Sequence, residues 1–166
     1  MTTKKIATYA LVASVYTVLS LVVAPFSFGQ IQVRLGEMLM LLCLLDKEYV
    51  YALTLGCFLT NLIGIITGMN PMILDLIVGT AATFIAGTLV YQFRNILTFK
   101  KPIFSISWVA IVNGILVGLE LAYYFKFGFT ETLLTIIYVA IGEIIACGVG
   151  LIVYEPMKRL FSDAFK

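Results

Sequence analysis

Four carboxylates stand inside or at the edge of strongly apolar sequence: Glu37, Asp75, Glu120 and Glu143. Asn61, Asn70, Asn113 and Tyr124 accompany them, and Arg34 lies three residues before Glu37 in "QIQVRLGEMLML". A carboxylate brings charge and acceptor oxygens, an asparagine both a donor and an acceptor. An acid at the centre of a membrane helix costs about 2.5 to 3.5 kcal/mol on insertion scales, so each needs a partner, water or a ligand. Two bases, Arg34 and a rim Lys126, cannot neutralise four acids. The surplus is negative, which suits an outward, water-accessible pocket for a cationic or donor-rich small molecule. With no histidine, a His-based metal site or proton relay is excluded, and Cys43, Cys57 and Cys147 lack the spacing of a disulfide framework or metal cluster. Neither a phosphate-binding G-x-x-x-x-G-K-[ST] loop nor a nucleophile–base pair occurs. No enzyme activity, resident cofactor, metal or nucleic-acid partner is expected of this chain.

The elements that hold these groups must be membrane helices. Of 166 residues 61% are hydrophobic and 12% charged, and the mean hydropathy is +1.06, far from a soluble domain. Residues 6–24, 49–67, 72–93, 103–125 and 133–154 can each cross a hydrocarbon core of roughly 30 Å at about 1.5 Å per residue. Residues 35–45 reach only about half that thickness as an α-helix and need help from the residues before them. Lys4 and Lys5 ahead of an apolar run resemble a signal peptide, but the run is long and "VVAPFSFG" offers no small-x-small cleavage site, so the first span is expected to stay. With a cytoplasmic amino terminus, Lys4, Lys5, Lys47, Arg94, Lys100, Lys101, Lys158, Arg159 and Lys166 lie inside, and only Arg34 and Lys126 lie outside. That positive-inside bias requires six crossings with both termini cytoplasmic. The expectation is an all-α, six-transmembrane-helix bundle, a single integral membrane domain over residues 1–166, multi-pass in a bacterial plasma membrane.

The polar groups favour one side of this bundle. Glu37, Asn61, Asp75 and Glu120 fall in the outer half, Asn113 and Glu143 nearer the midplane, Glu143 about 15 Å along the last span. Asp75 shares a helix face with Gly79, Ala82, Thr83 and Ala86, and Glu143 with Ala140, Ala146, Cys147 and Gly150. Small residues mark helix contacts in lipid, so these acids look inward. Asn113, Glu120 and Tyr124, spaced seven and four apart, form a stripe that can line the same space. Plainer roles stand beside this one. Arg34 and Glu37 fit an i, i+3 pair at the headgroup level, Asp75 a charge at a helix amino terminus after Pro71, and Glu120 an interface residue. Asn61 and Asn113 fit interhelical glue, and Asn70 fits turn chemistry. Trp108, Tyr9, Tyr51 and Tyr154 read as an inner aromatic belt. Residues 30–34 alternate polar and apolar and are expected to form a strand-like lid or wall over the pocket that presents Glu37 inward.

Two passages carry a family resemblance. "ALVASVY" gives Ala10-x-x-x-Ser14, which resembles the A-x-x-x-A face on which substrate-binding (S) components of energy-coupling factor (ECF) transporters dock. "FGQIQVRLGEMLMLLCLL" with "YVYALTLGCFLTNLIG" resembles the QueT family of queuosine-precursor transporters, in which a Q-x-[RF]-[IL]-x-E element follows the first helix. Ser14 replaces the usual alanine, and Gly36 and Met38 stand where "RISEAL" would have serine and alanine. The resemblance implies a six-helix S component that binds aminomethyl-deazaguanine or a close relative outside. It would then topple on a transmembrane coupling subunit driven by two ATPase subunits, which use the ATP. It also implies that Ala10 and Ser14 face that partner, and that the acids share the guanine-like edge and the amine, without saying which takes which. The alternatives are an S component for another vitamin or base, and a self-sufficient secondary transporter using Glu143 as a proton-coupling group.

Overall fold

The computed structural model describes residues 3–29, 32–96 and 102–162. Gln30 and Ile31 of the expected lid, and Lys100, Lys101 and Lys166 of the charge pattern, lie outside the described residues. The order is α1 (Thr3–Val22), a short α2 (Ala24–Ser27), a 3₁₀ segment (Leu35–Leu44), α3 (Glu48–Ile66), a 3₁₀ turn (Ile73–Leu76), α4 (Val78–Phe93), α5 (Pro102–Phe125) and α6 (Phe129–Ser162). No strand occurs among the described residues. Among the described residues five helical stretches are long and apolar enough to cross a membrane, and Leu35–Leu44 is a shorter apolar helix in addition to them.

That short segment is the centre of the molecule. Residues Leu39 to Cys43 are at most 4% exposed, and α1, α3, α4, α5 and α6 all pack against the segment. A helix whose residues are apolar on every side apart from Glu37 must be covered all round, and here other helices do the covering. Its 3₁₀ winding answers the length problem. Ten residues at about 2.0 Å rise reach about 20 Å, against about 15 Å for an α-helix. The Tyr9 and Tyr49 rings meet edge to face at 5.3 Å, so α1 and α3 begin at the same end of the bundle. Leu35–Leu44 therefore carries the chain back along its length.

Phe93 stacks on Trp108 at 4.8 Å at that same end, and Tyr154 and Met157 pack on the core beside them. The aromatic belt is thus partly core: Tyr9 is 7% exposed, while Tyr51 at 61% faces outward. Tyr9 is drawn in because Tyr49, overlooked in the sequence, provides a ring to pack against. Inward facing follows the expected stripes, with Asp75, Gly79, Ala82, Thr83 and Ala86 buried on one side and Glu143, Ala146, Cys147 and Gly150 on another. The last helix is longer than its apolar core. Residues 133–154 are expected to span, but α6 continues from Phe129 to Ser162 through Pro156.

Candidate functional site: a buried acidic cluster at one end of the bundle

Arg34 enters the bundle just ahead of the 3₁₀ segment. Its Nη2 donates to Asp75 Oδ2 at 2.5 Å, its Nε to the Ser27 carbonyl at 3.3 Å, and its Nη1 to Cys57 Sγ at 3.7 Å. The Phe28 ring lies 5.9 Å from the guanidinium carbon. Asp75 sits in the Ile73–Leu76 turn, where Asn70 Nδ2 also donates to its Oδ2 at 2.8 Å. Asn70 Oδ1 accepts from the Met72 amide at 3.0 Å, so Asn70 serves both the turn and the ion pair. Asn61 Nδ2 donates to the Asp75 carbonyl at 2.7 Å, tying α3 to this turn. Gly79, one turn on, makes room: an added Cβ would overlap the Asp75 carboxylate and press on the Asn61 amide and Arg34. Arg34 thus pairs with Asp75 and not with Glu37, correcting the i, i+3 reading. The reason lies in Arg34 itself, which precedes the 3₁₀ segment with extended backbone (φ −92°, ψ 102°) and so does not share the helical register on which that pairing relies.

Glu37 has other partners. Tyr16 Oη donates to its Oε1 at 2.5 Å and Thr83 Oγ1 to the same oxygen at 3.1 Å, while Oε2 is buried without a partner. Gly36 allows this. Its backbone lies against the Tyr16 ring and Ser20, where a Cβ would stand 2.5 Å from Ser20 Oγ, and its amide donates to that hydroxyl at 3.2 Å. Cys147 Sγ donates to the Glu37 carbonyl at 3.4 Å, placing α6 on the other side.

Glu120 on α5 is 5% exposed, and both of its carboxylate oxygens are buried without partners. Glu143 on α6 is 2% exposed with Oε2 unpartnered, one turn before Cys147. Glu37, Glu120 and Glu143 are carried by Leu35–Leu44, α5 and α6, which pack on one another, and Cys147, one turn after Glu143, donates to the Glu37 carbonyl. Among the described residues the buried charged side chains are Arg34, Glu37, Asp75, Glu120 and Glu143, one base against four acids. Asn113 is buried too, its Nδ2 returned to the Val109 carbonyl of its own helix at 3.1 Å. Tyr124 does not join them. It is 44% exposed and meets Phe125 edge to face at 5.0 Å, because one further turn carries the Asn113–Glu120 stripe to the end of α5.

The strand-like wall is also different from expectation. Gln32 has φ of 49°, and Gln32 and Arg34 turn inward while Val33 is half-buried, its amide donating to the Phe26 carbonyl at 3.0 Å. Ala10 and Ser14 lie on the exposed face of α1, opposite Tyr16. The Ser14 hydroxyl bonds back to the Ala10 carbonyl at 2.9 Å, which leaves a smooth small-residue strip. Three recesses bounded by described residues, of about 470, 570 and 220 Å³, lie elsewhere, at the α1–α3 groove around Ala10, at the carboxyl end of α5, and beside Ser14. The acids are covered, not open to the surface through any of these. Tyr16, Ser27 and the thiol of Cys57 are the contributors that sequence reasoning missed, while Thr83 is expected on the inward face of Asp75 but without its bond to Glu37; Tyr16, Thr17 and Ser20 nonetheless form a polar set on the buried face of α1.

The QueT transporter family model matches residues 6–159, from α1 into the last turns of α6. The chain belongs to the QueT transporter family. A curated relative, the queuosine precursor transporter QueT of Lactococcus lactis subsp. cremoris (strain MG1363), is 28% identical over 173 aligned residues, covering 95% of this chain and 94% of the relative. No solved structure matches the chain. The QueT match takes in every acid of the cluster and the Ala10–Ser14 strip, and it identifies this apolar helical bundle as a multi-pass transporter of the cell membrane.

Proposed function

We propose that this chain is the substrate-binding S component of an ECF-type transporter, a single membrane domain with six crossings and both termini cytoplasmic. It captures a queuosine precursor outside, aminomethyl-deazaguanine or a close relative, and releases it inward by toppling on a coupling subunit powered by two ATPase subunits. The chain itself needs no cofactor. The observation that carries this reading is the excess of buried acid. Arg34 is committed to Asp75, yet Glu37, Glu120 and Glu143 keep four buried carboxylate oxygens without partners. Such oxygens are costly unless a donor arrives. A guanine-like edge supplies adjacent N–H donors and an aminomethyl arm supplies a cation, and charge-assisted bonds to both are stronger than neutral ones. The relative's name supports the same ligand class.

Thermal shift and calorimetry on the purified protein, comparing aminomethyl-deazaguanine, guanine and several vitamins, test the ligand. Glu120→Gln and Glu143→Gln are each expected to weaken binding at least tenfold, as loss of one charged hydrogen bond of about 1.5 to 3 kcal/mol would do; unchanged affinity in both sinks the site. For docking, Ala10→Leu with Ser14→Leu is expected to abolish uptake in cells while leaving ligand affinity intact. Uptake by liposomes holding this chain alone, without ATP, would instead mark a self-sufficient carrier.

A further inference from the structure

We infer that the acids divide the ligand between them: Glu37 accepts its cationic arm, held in place by Tyr16 and Thr83 as positioning residues, and Glu120 accepts the paired N–H donors of its ring. This rests on the proposed function and deepens it.

The division follows from which oxygens are free. Glu37 offers one. Oε1 is occupied by two hydroxyl donors, and only Oε2 faces the interior unpartnered. A carboxylate pinned through one oxygen cannot grip two parallel N–H groups, but it is a good partner for an ammonium, whose three donors rotate freely and need no matched fork. Glu143, one turn before the Cys147 that donates to the Glu37 carbonyl, adds a second acid on that side. Glu120 offers two. Both of its oxygens are buried and unpartnered, which is the geometry that adjacent N–H donors on a planar ring require. Asp75 also keeps one buried oxygen without a partner, Oδ1 beside Gly79, but it is set aside on charge, since Arg34 matches it and Arg34 and Asn70 share its Oδ2. Arg34, Asn70 and Asp75 therefore form the frame of the site, and the ligand meets the three glutamates.

Tyr16 and Thr83 come from α1 and α4, so the position of Glu37 depends on two helices that contribute no acid of their own to this division. Tyr16 also lies on the helix whose opposite face carries Ala10 and Ser14.

The test measures selectivity, which a general loss of stability would not move. Affinities of purified protein are determined for aminomethyl-deazaguanine and for the same ring with a neutral methyl arm. Tyr16→Phe is expected to weaken the amine ligand about tenfold and the methyl ligand less than twofold. Thr83→Val should act in the same sense and more weakly, and Glu120→Gln should weaken both ligands by a similar factor. If Tyr16→Phe fails to fold, Thr83→Val decides. An amine-to-methyl preference left at the wild-type value in the hydroxyl variants overturns the division while leaving the proposed ligand intact. Failure of the wild-type protein to bind either deazaguanine overturns the proposed function and this inference together.

Discussion

At the scale of single residues, the site separates into a neutralised half and an unneutralised half. Asp75→Asn strands the Arg34 guanidinium in a buried position, and breaking such a pair from one side costs about 3 to 5 kcal/mol. The melting temperature in detergent should fall sharply. The double change Arg34→Met with Asp75→Leu should recover much of the loss, because neither member of the pair is then buried without the other. Gly79→Ala should resemble Asp75→Asn, since the new methyl occupies the space of the Asp75 carboxylate. The charged members were legible in the sequence because an ionisable group in apolar surroundings is conspicuous. Tyr16 was not, because a tyrosine in an apolar helix reads as packing until the segment that brings Glu37 to it is in place. Tyr124 shows the opposite error: helical spacing gives the direction of a side chain but not where the helix leaves the protein interior.

At the scale of elements, the helices themselves were legible from hydropathy, and the five long spans agree with expectation to within a few residues at most ends. The winding of Leu35–Leu44 was not, since apolar residues in every direction carry no period to distinguish a 3₁₀ from an α-helix. Its position at the centre explains why so short a stretch is apolar apart from Glu37. Gly36→Ala should force this segment away from α1, break the Tyr16–Glu37 bond, and lower both stability and ligand affinity. Leu41→Ala, at a position with no exposure, should cost about 2 to 5 kcal/mol through the cavity it leaves, with a smaller effect on affinity because the change is more than one turn from Glu37. Chemical denaturation alongside ligand titration separates the two outcomes.

At the scale of the whole molecule, charge and aromatic placement agree. Tyr9, Tyr49, Phe93 and Trp108 gather at the end where α1 and α3 begin, near Lys4, Lys5, Lys47 and Arg94, while the acids and Arg34 occupy the rest of the bundle toward the other end. Lys47→Cys is expected to react with an impermeant maleimide only from the cytoplasmic side, and Lys126→Cys only from outside, on a background kept low by the buried native thiols. Reaction of both from one side would refute the six-crossing orientation. The central strut has one more consequence. Ten residues relaxed from 3₁₀ to α winding shorten by about 5 Å, close to one α-helical turn. With its carboxyl end packed on the core that holds Tyr9 and Tyr49, that contraction would retract Arg34 and Glu37 together from Asp75, Tyr16 and Thr83, so a modest rewinding of buried backbone is mechanically equivalent to dismantling the receptor.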